Sequence, residues 1–182
     1  MATKILCVID VQNDFITGSL RNEEAIKNVV NIARKIRNFK GDYILVTKDT
    51  HGENYLETKE GSKLPVEHCI YGSEGWEIEL NVLAALEDAK LRNITVIYFE
   101  KPTFGSINLM KYVADIPGDL EIEVCGYCTD ICVISNTLLL KAETYDRSEI
   151  TVDATCCAGV TPESHRAALL AMKMCQVNVI NE

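Results

Sequence analysis

Short runs of continuous apolar residues alternate along this chain with longer segments whose apolar positions recur at helical spacing. Residues 3–9 (TKILCVI) read as a buried strand. Residues 22–38 follow as a helix, with Ile26, Val29, Val30, Ala33 and Ile36 on one face and acids in the first turn. Residues 43–48 (YILVTK) predict a second strand, and 49–75 an irregular, polar, glycine-bearing segment. A connection of that length inside a compact domain is usually functional. The pattern then predicts a helix over 77–90, a strand over 93–99, a short helix over 106–114, and a strand over 120–126. That strand runs straight into a helix over 129–145. A strand over 149–153, a helix over 162–175 opened by Pro162, and a last strand over 177–180 complete the series.

Strands that are apolar throughout and alternate with helices belong in a parallel sheet covered on both faces. Right-handed crossovers then build an α/β fold, a three-layer α/β/α sandwich around a mainly parallel six-stranded sheet of Rossmann-like design. No repeat, low-complexity tract or Gly/Ser linker interrupts residues 1–182, so one domain is expected. Ligands of such sheets bind at the carboxyl ends of the strands, near the point where strand order reverses.

Composition narrows the classes. A net charge of -9 argues against attraction to nucleic acid or anionic lipid. No apolar run has the length of a membrane span, and the opening MATKILCVIDVQNDF lacks a cleavage site of small residues. A cytoplasmic location is the expectation, and with it eight reduced cysteines rather than disulfides. Most of these, such as Cys7, Cys125 and Cys175, sit in apolar or helical context as small hydrophobes.

The strand ends carry the candidate chemistry. Asp10 directly follows the first strand, where desolvation raises a carboxyl toward a useful base; a turn or helix-capping role is the competing reading. Asp49 and His51, two apart in an extended segment, point to one side, and His68 closes the same long loop. Three N/O ligands with open positions describe a catalytic divalent metal site, against the alternative of a surface pair. Lys101 ends the third strand, either as a solvated charge or as a group that lowers a thiol's pKa. Cys132 lies in the first turn of the helix after the fourth strand, where free N–H groups favour a thiolate and hold an oxyanion. A structural zinc site or redox pair at Cys125-x-x-Cys128 fits less well, because Cys125 lies inside the strand.

In chain order these pieces are VIDVQNDF, KDTH, LPVEHC-IYGSEGW, EKPTFGS and GYCTDICV. In that order and along essentially the whole length, the chain resembles the isochorismatase-like cysteine hydrolases, and among them the nicotinamidases. The resemblance implies a triad of Asp10, Lys101 and Cys132, and a metal ion, zinc with manganese or iron as alternatives, on Asp49, His51 and His68. It implies a fourth ligand from the intervening loop, Glu60 or Glu57, and a cis peptide at Tyr127–Cys128. An oxyanion hole of the Cys128 and Cys132 N–H groups follows, with Phe15, Phe104 and Tyr127 as substrate contacts. The implied activity is hydrolysis of a small carboxamide, nicotinamide to nicotinate and ammonia, within NAD salvage; homo-oligomer formation stays open. Leu64-Pro65-Val66 and Pro102-Thr103-Phe104 depart from the common nicotinamidase pattern and bear on the substrate. The alternatives are an N-carbamoyl or ureido hydrolase of the same superfamily, a vinyl-ether hydrolase, and a non-catalytic binding protein.

Overall fold

A computed structural model describes residues 2–182. Six strands, β1 (Thr3–Ile9), β2 (Tyr43–Asp49), β3 (Thr95–Lys101), β4 (Leu120–Tyr127), β5 (Ser148–Ala158) and β6 (Asn178–Ile180), form one sheet in the order β3-β2-β1-β4-β5-β6. Every pairing is parallel. The chain builds outward from β1 to β3, then returns to the other side of β1 with β4, so the strand order reverses between β1 and β4. Helices α1 (Glu23–Asn38) and α2 (Leu80–Leu91) pack together as one layer; α3 (Ile107–Ala114), α4 (Ile134–Thr144) and α5 (Pro162–Met174) form the other. β1 is buried on both faces from Ile5 onward, as its unbroken apolar run requires.

The boundaries shift where distant segments claim the backbone. α2 begins at Leu80, not 77, because Asn13 N–H donates to Glu77 O and Ile78 bridges Gln12; Glu79 then caps the helix. α1 buries Ala25, Val29, Ile32, Ala33 and Ile36, so its inner stripe lies a step round from the expected one, and Val30 is exposed. Asn22 is its cap, accepting from the N–H groups of Glu24 and Ala25. Asp49 belongs to β2, and the segment after it carries a 3-10 turn, Tyr55–Glu57, and a bridge from His51 to Ile70.

Two further corrections bear on the site. The helix expected over 129–145 opens as a π-helical turn, Thr129–Val133, in which Val133 N–H reaches back to Cys128 O. Such turns recur at functional sites. β5 runs five residues beyond its expected end at 153, so Cys156 and Cys157 lie inside it rather than after it, with Cys157 opposite Gly126. Among the described residues no helix is long and apolar enough to cross a membrane.

Candidate active site

The parallel register brings the strand ends to one edge. Ile9 pairs with Thr47 on one side and Gly126 on the other, and Asp49 pairs with Lys101. Gly126 is required at its position: its φ is 125°, and a Cβ there would strike the carbonyl oxygen of Ile9. The close approach of β4 to β1 sets Asp10 beside the turn that holds Cys132.

Asp10 is fully buried and takes φ 47°, which turns the chain off β1. Its Oδ1 accepts from the Thr47 hydroxyl at 2.6 Å. Its Oδ2 lies 2.6 Å from Lys101 Nζ, a fully buried ion pair. Lys101 Nζ also donates to Cys132 Sγ at 3.5 Å. The structure thus brings Asp10, Lys101 and Cys132 together around one buried ammonium.

Electrostatics assign the protons. Burial raises the Asp10 pKa, opposed by Lys101 and reinforced by Asp49. Burial alone would lower that of Lys101, but Asp10, Cys132 and Asp49 carry it above its ordinary value, so it stays an ammonium. The Cys132 thiol is pushed well up by burial and by Asp10, with only Lys101 opposing. Burial and the two carboxylates thus favour the thiol form of Cys132, against the thiolate that the helix N-terminus favours.

The Tyr127–Cys128 peptide is cis. Asn136, fully buried, ties the turn that holds Cys132 to the loop after β3, donating to Cys132 O at 2.8 Å and Phe104 O at 3.1 Å while accepting from Ser106 N–H. Its value was hidden in the sequence, where it is one more polar helix position.

Beside the triad, Asp49, His51 and His68 form a buried cluster whose ligand atoms all lie within 4.8 Å of one another. Asp49 Oδ2 is 3.1 Å from His51 Nε2 and 3.5 Å from His68 Nε2. Donors around a tetrahedral zinc ion with bonds of about 2.1 Å stand about 3.4 Å apart, so this set fits such an ion. His68 Nδ1 lies 2.9 Å from Val66 O, a partner that only accepts, so Nδ1 carries a proton and Nε2 is the atom turned to the cluster. Burial raises the Asp49 pKa, but hydrogen bonds from His51 and His68 and the charge of Lys101 bring it well below the carboxylate range. Burial lowers the His68 pKa, and Asp49 reverses that to a net rise. Glu60 Oε1 stands at 4.0 Å and 3.9 Å from the two Nε2 atoms, outside the tight group but facing it; Glu57 is exposed.

Aromatic packing orients the imidazoles. Tyr55, fully buried, meets His51 and His68 edge-on with centroids at 4.8 Å and 4.9 Å, and its hydroxyl donates to Leu64 O. Tyr55 escaped the sequence reading because nothing local marks a loop tyrosine as buried. Phe15 packs against His68 at 5.9 Å. Phe104 is held through its carbonyl, and its ring stands half exposed. Tyr127 corrects the expectation of a substrate contact: its ring is fully buried and its hydroxyl donates to Ala25 O in α1, so the side chain serves the core.

A family model, Isochorismatase domain, matches residues 4–182. No curated protein matches the chain. Among solved structures, the chain is similar to a nicotinamidase/pyrazinamidase from Bacillus subtilis, at 26% identity and TM-score 0.82, covering 98% of this chain and 100% of that one. It is similar in fold to a pyrazinamidase of Pyrococcus horikoshii in complex with zinc, at 24% identity and TM-score 0.79, over 98% and 99% of the two chains. A protein from L. infantum in complex with nicotinate shares the fold at 19% identity and TM-score 0.78, over 99% and 93%.

Proposed function

The chain belongs to the isochorismatase family, and we propose that it is an amidohydrolase converting nicotinamide to nicotinate and ammonia through a thioester on Cys132. The observation that carries this reading is the placement of Lys101 Nζ 2.6 Å from Asp10 Oδ2 and 3.5 Å from Cys132 Sγ. It supplies a base, a charge stabiliser and a nucleophile in contact. The likeness to a nicotinamidase/pyrazinamidase and to a protein holding nicotinate supports the choice of substrate.

In the proposed cycle Asp10 takes the thiol proton as Cys132 Sγ attacks the amide carbon. The oxyanion is held by the N–H groups of Cys128 and Cys132, with the Lys101 charge close by. Collapse breaks the C–N bond, and Asp10 returns its proton to the departing nitrogen, releasing ammonia. Water then attacks the thioester carbon and loses its proton to Asp10. The C–S bond breaks, the acid leaves, and the proton passes back to the sulfur.

Asp49, His51 and His68, with Glu60 in reach, would hold a divalent ion, zinc by their N and O donors. Bound there, the ion supplies a partner for the ring nitrogen of the substrate. Phe15 lies against His68 and offers an apolar face to the ring. We further propose a cytoplasmic enzyme acting on a small amide, without nucleic-acid or membrane partners.

Ammonia release from a panel of carboxamides and ureido compounds, with and without chelator, tests the reading. Turnover of nicotinamide that falls on chelation is expected. Turnover of ureido compounds alone would overturn the substrate.

A further inference from the structure

β1 turns away from β2 at Asp10, yet the pairing between these segments continues through a side chain. Gln12 is fully buried, and its carboxamide takes both main-chain groups of Asp49: Nε2 donates to Asp49 O at 2.9 Å, and Oε1 accepts from Asp49 N–H at 2.7 Å. Nε2 also donates to Trp76 O at 2.9 Å. All three hydrogen bonds go to main chain, as if Gln12 supplied one more rung of the sheet.

Asp14, two residues on, grips the other end of the long loop. Its Oδ2 accepts from Cys69 N–H at 2.8 Å and its Oδ1 from Ser19 N–H at 3.0 Å. Asp14 N–H donates to Gly75 O at 3.0 Å. Gly75 lies so near that a Cβ there would strike the Asp14 carboxylate. Cys69, next to His68, takes φ 46°, a conformation that a non-glycine residue keeps only when its surroundings hold it.

We propose that Gln12 and Asp14 are positioning residues for the metal ligands, Gln12 setting the main chain of Asp49 and Asp14 that of His68–Cys69. The inference rests on the proposed metal site and goes beyond it, because both residues act on main chain and the ligand atoms belong to others. One short segment then serves both halves of the site: Asp10 faces the triad, while Gln12 and Asp14 draw together ligands from the two ends of a long loop. Outer partners of this kind commonly change metal affinity by about 10–100-fold.

The experiment is competition for Zn2+ against a chromogenic chelator, with circular dichroism and an activity titration in added Zn2+. Gln12→Met removes the three hydrogen bonds at nearly constant volume. Gly75→Ala leaves every ligand and both positioning residues unmutated but displaces the Asp14 carboxylate. Asp14→Asn keeps the shape and one acceptor, and guards against a failure of the other variants to fold. Thr144→Ala, a buried hydroxyl lost at the end of α4, reports general destabilisation. Folded Gln12→Met and Gly75→Ala proteins should bind Zn2+ about 10–100-fold more weakly and regain activity in excess Zn2+, Asp14→Asn less severely, Thr144→Ala not at all. Parental affinity in the folded site variants overturns the positioning role alone. A parent chain that binds no Zn2+ overturns the metal reading, and this role with it.

Discussion

Asp49 and Lys101 are register partners across β2 and β3, and Asp49 Oδ1 stands 3.5 Å from Lys101 Nζ while its Oδ2 faces the two histidines. One carboxylate therefore joins the candidate metal cluster to the group of Asp10, Lys101 and Cys132. Asp49→Asn should lose the metal as His51→Ala and His68→Ala do, and should also remove a charge that Lys101 feels. Metal analysis together with kcat/KM in excess metal separates the two effects. The expectation is partial recovery for the histidine variants and less for Asp49→Asn; equal recovery in all three would uncouple Asp49 from the triad.

Cys132→Ala should reduce kcat by ~10⁴-fold or more, since a lost nucleophile leaves only binding and oxyanion stabilisation. Its stability should change by about 1 kcal/mol, the scale of one buried heavy group. Cys156→Ala and Cys157→Ala, inside β5, should cost similar stability with activity kept. Single-turnover kinetics and urea titrations of the three variants decide this, and activity lost at Cys157 as at Cys132 would name the wrong thiol.

Lys101→Met leaves Asp10 buried without its partner, a change that commonly costs about 3–5 kcal/mol. The double variant Asp10→Asn, Lys101→Met should recover much of that loss. Denaturant midpoints for the two single variants and the double variant measure the coupling; additive losses would mean that the 2.6 Å contact carries no stabilisation.

The pH profile follows from the direction of the shifts. Asp10 must be ionised to take the thiol proton, and burial raises its pKa, so the acid limb of kcat/KM should lie above the ordinary aspartate value of about 3.9. The same shift gives the folded state a stability contribution that is present below the unfolded pKa and is lost as pH rises through the folded one. Because the Cys132 thiol is pushed up, it should alkylate slowly with iodoacetamide at pH 7, behind the exposed Cys175. Peptide mapping by mass spectrometry gives the order; Cys132 reacting first would indicate a resting thiolate.

Nicotinamide should be hydrolysed ~10²-fold faster than benzamide or more, because benzamide leaves the polar partner of the ring nitrogen unsatisfied. Steady-state kinetics on the pair, with and without chelator, measure the difference. Equal rates would remove the ring nitrogen from recognition.

The sequence by itself determined the order of elements and the candidate chemistry, because both are written in local pattern. The apolar run of residues 5–9 is buried on both faces, and the charged Asp10 at its end emerges where the strands end. The end of β5 was not legible, since its last residues gain strand conformation only from β4 alongside, with Cys157 opposite Gly126. Nor was the direction of Tyr127, which is decided by Ala25 and Asn28 in α1, about a hundred positions away. Tertiary structure alone decided the burial of Cys132 that pushes its thiol pKa up, the burial of Tyr55 between two imidazoles, and the hold of Gln12 on Asp49. Each depends on desolvation or on contacts between segments remote in the chain, and these exist only once the sheet has brought its strand ends to one edge.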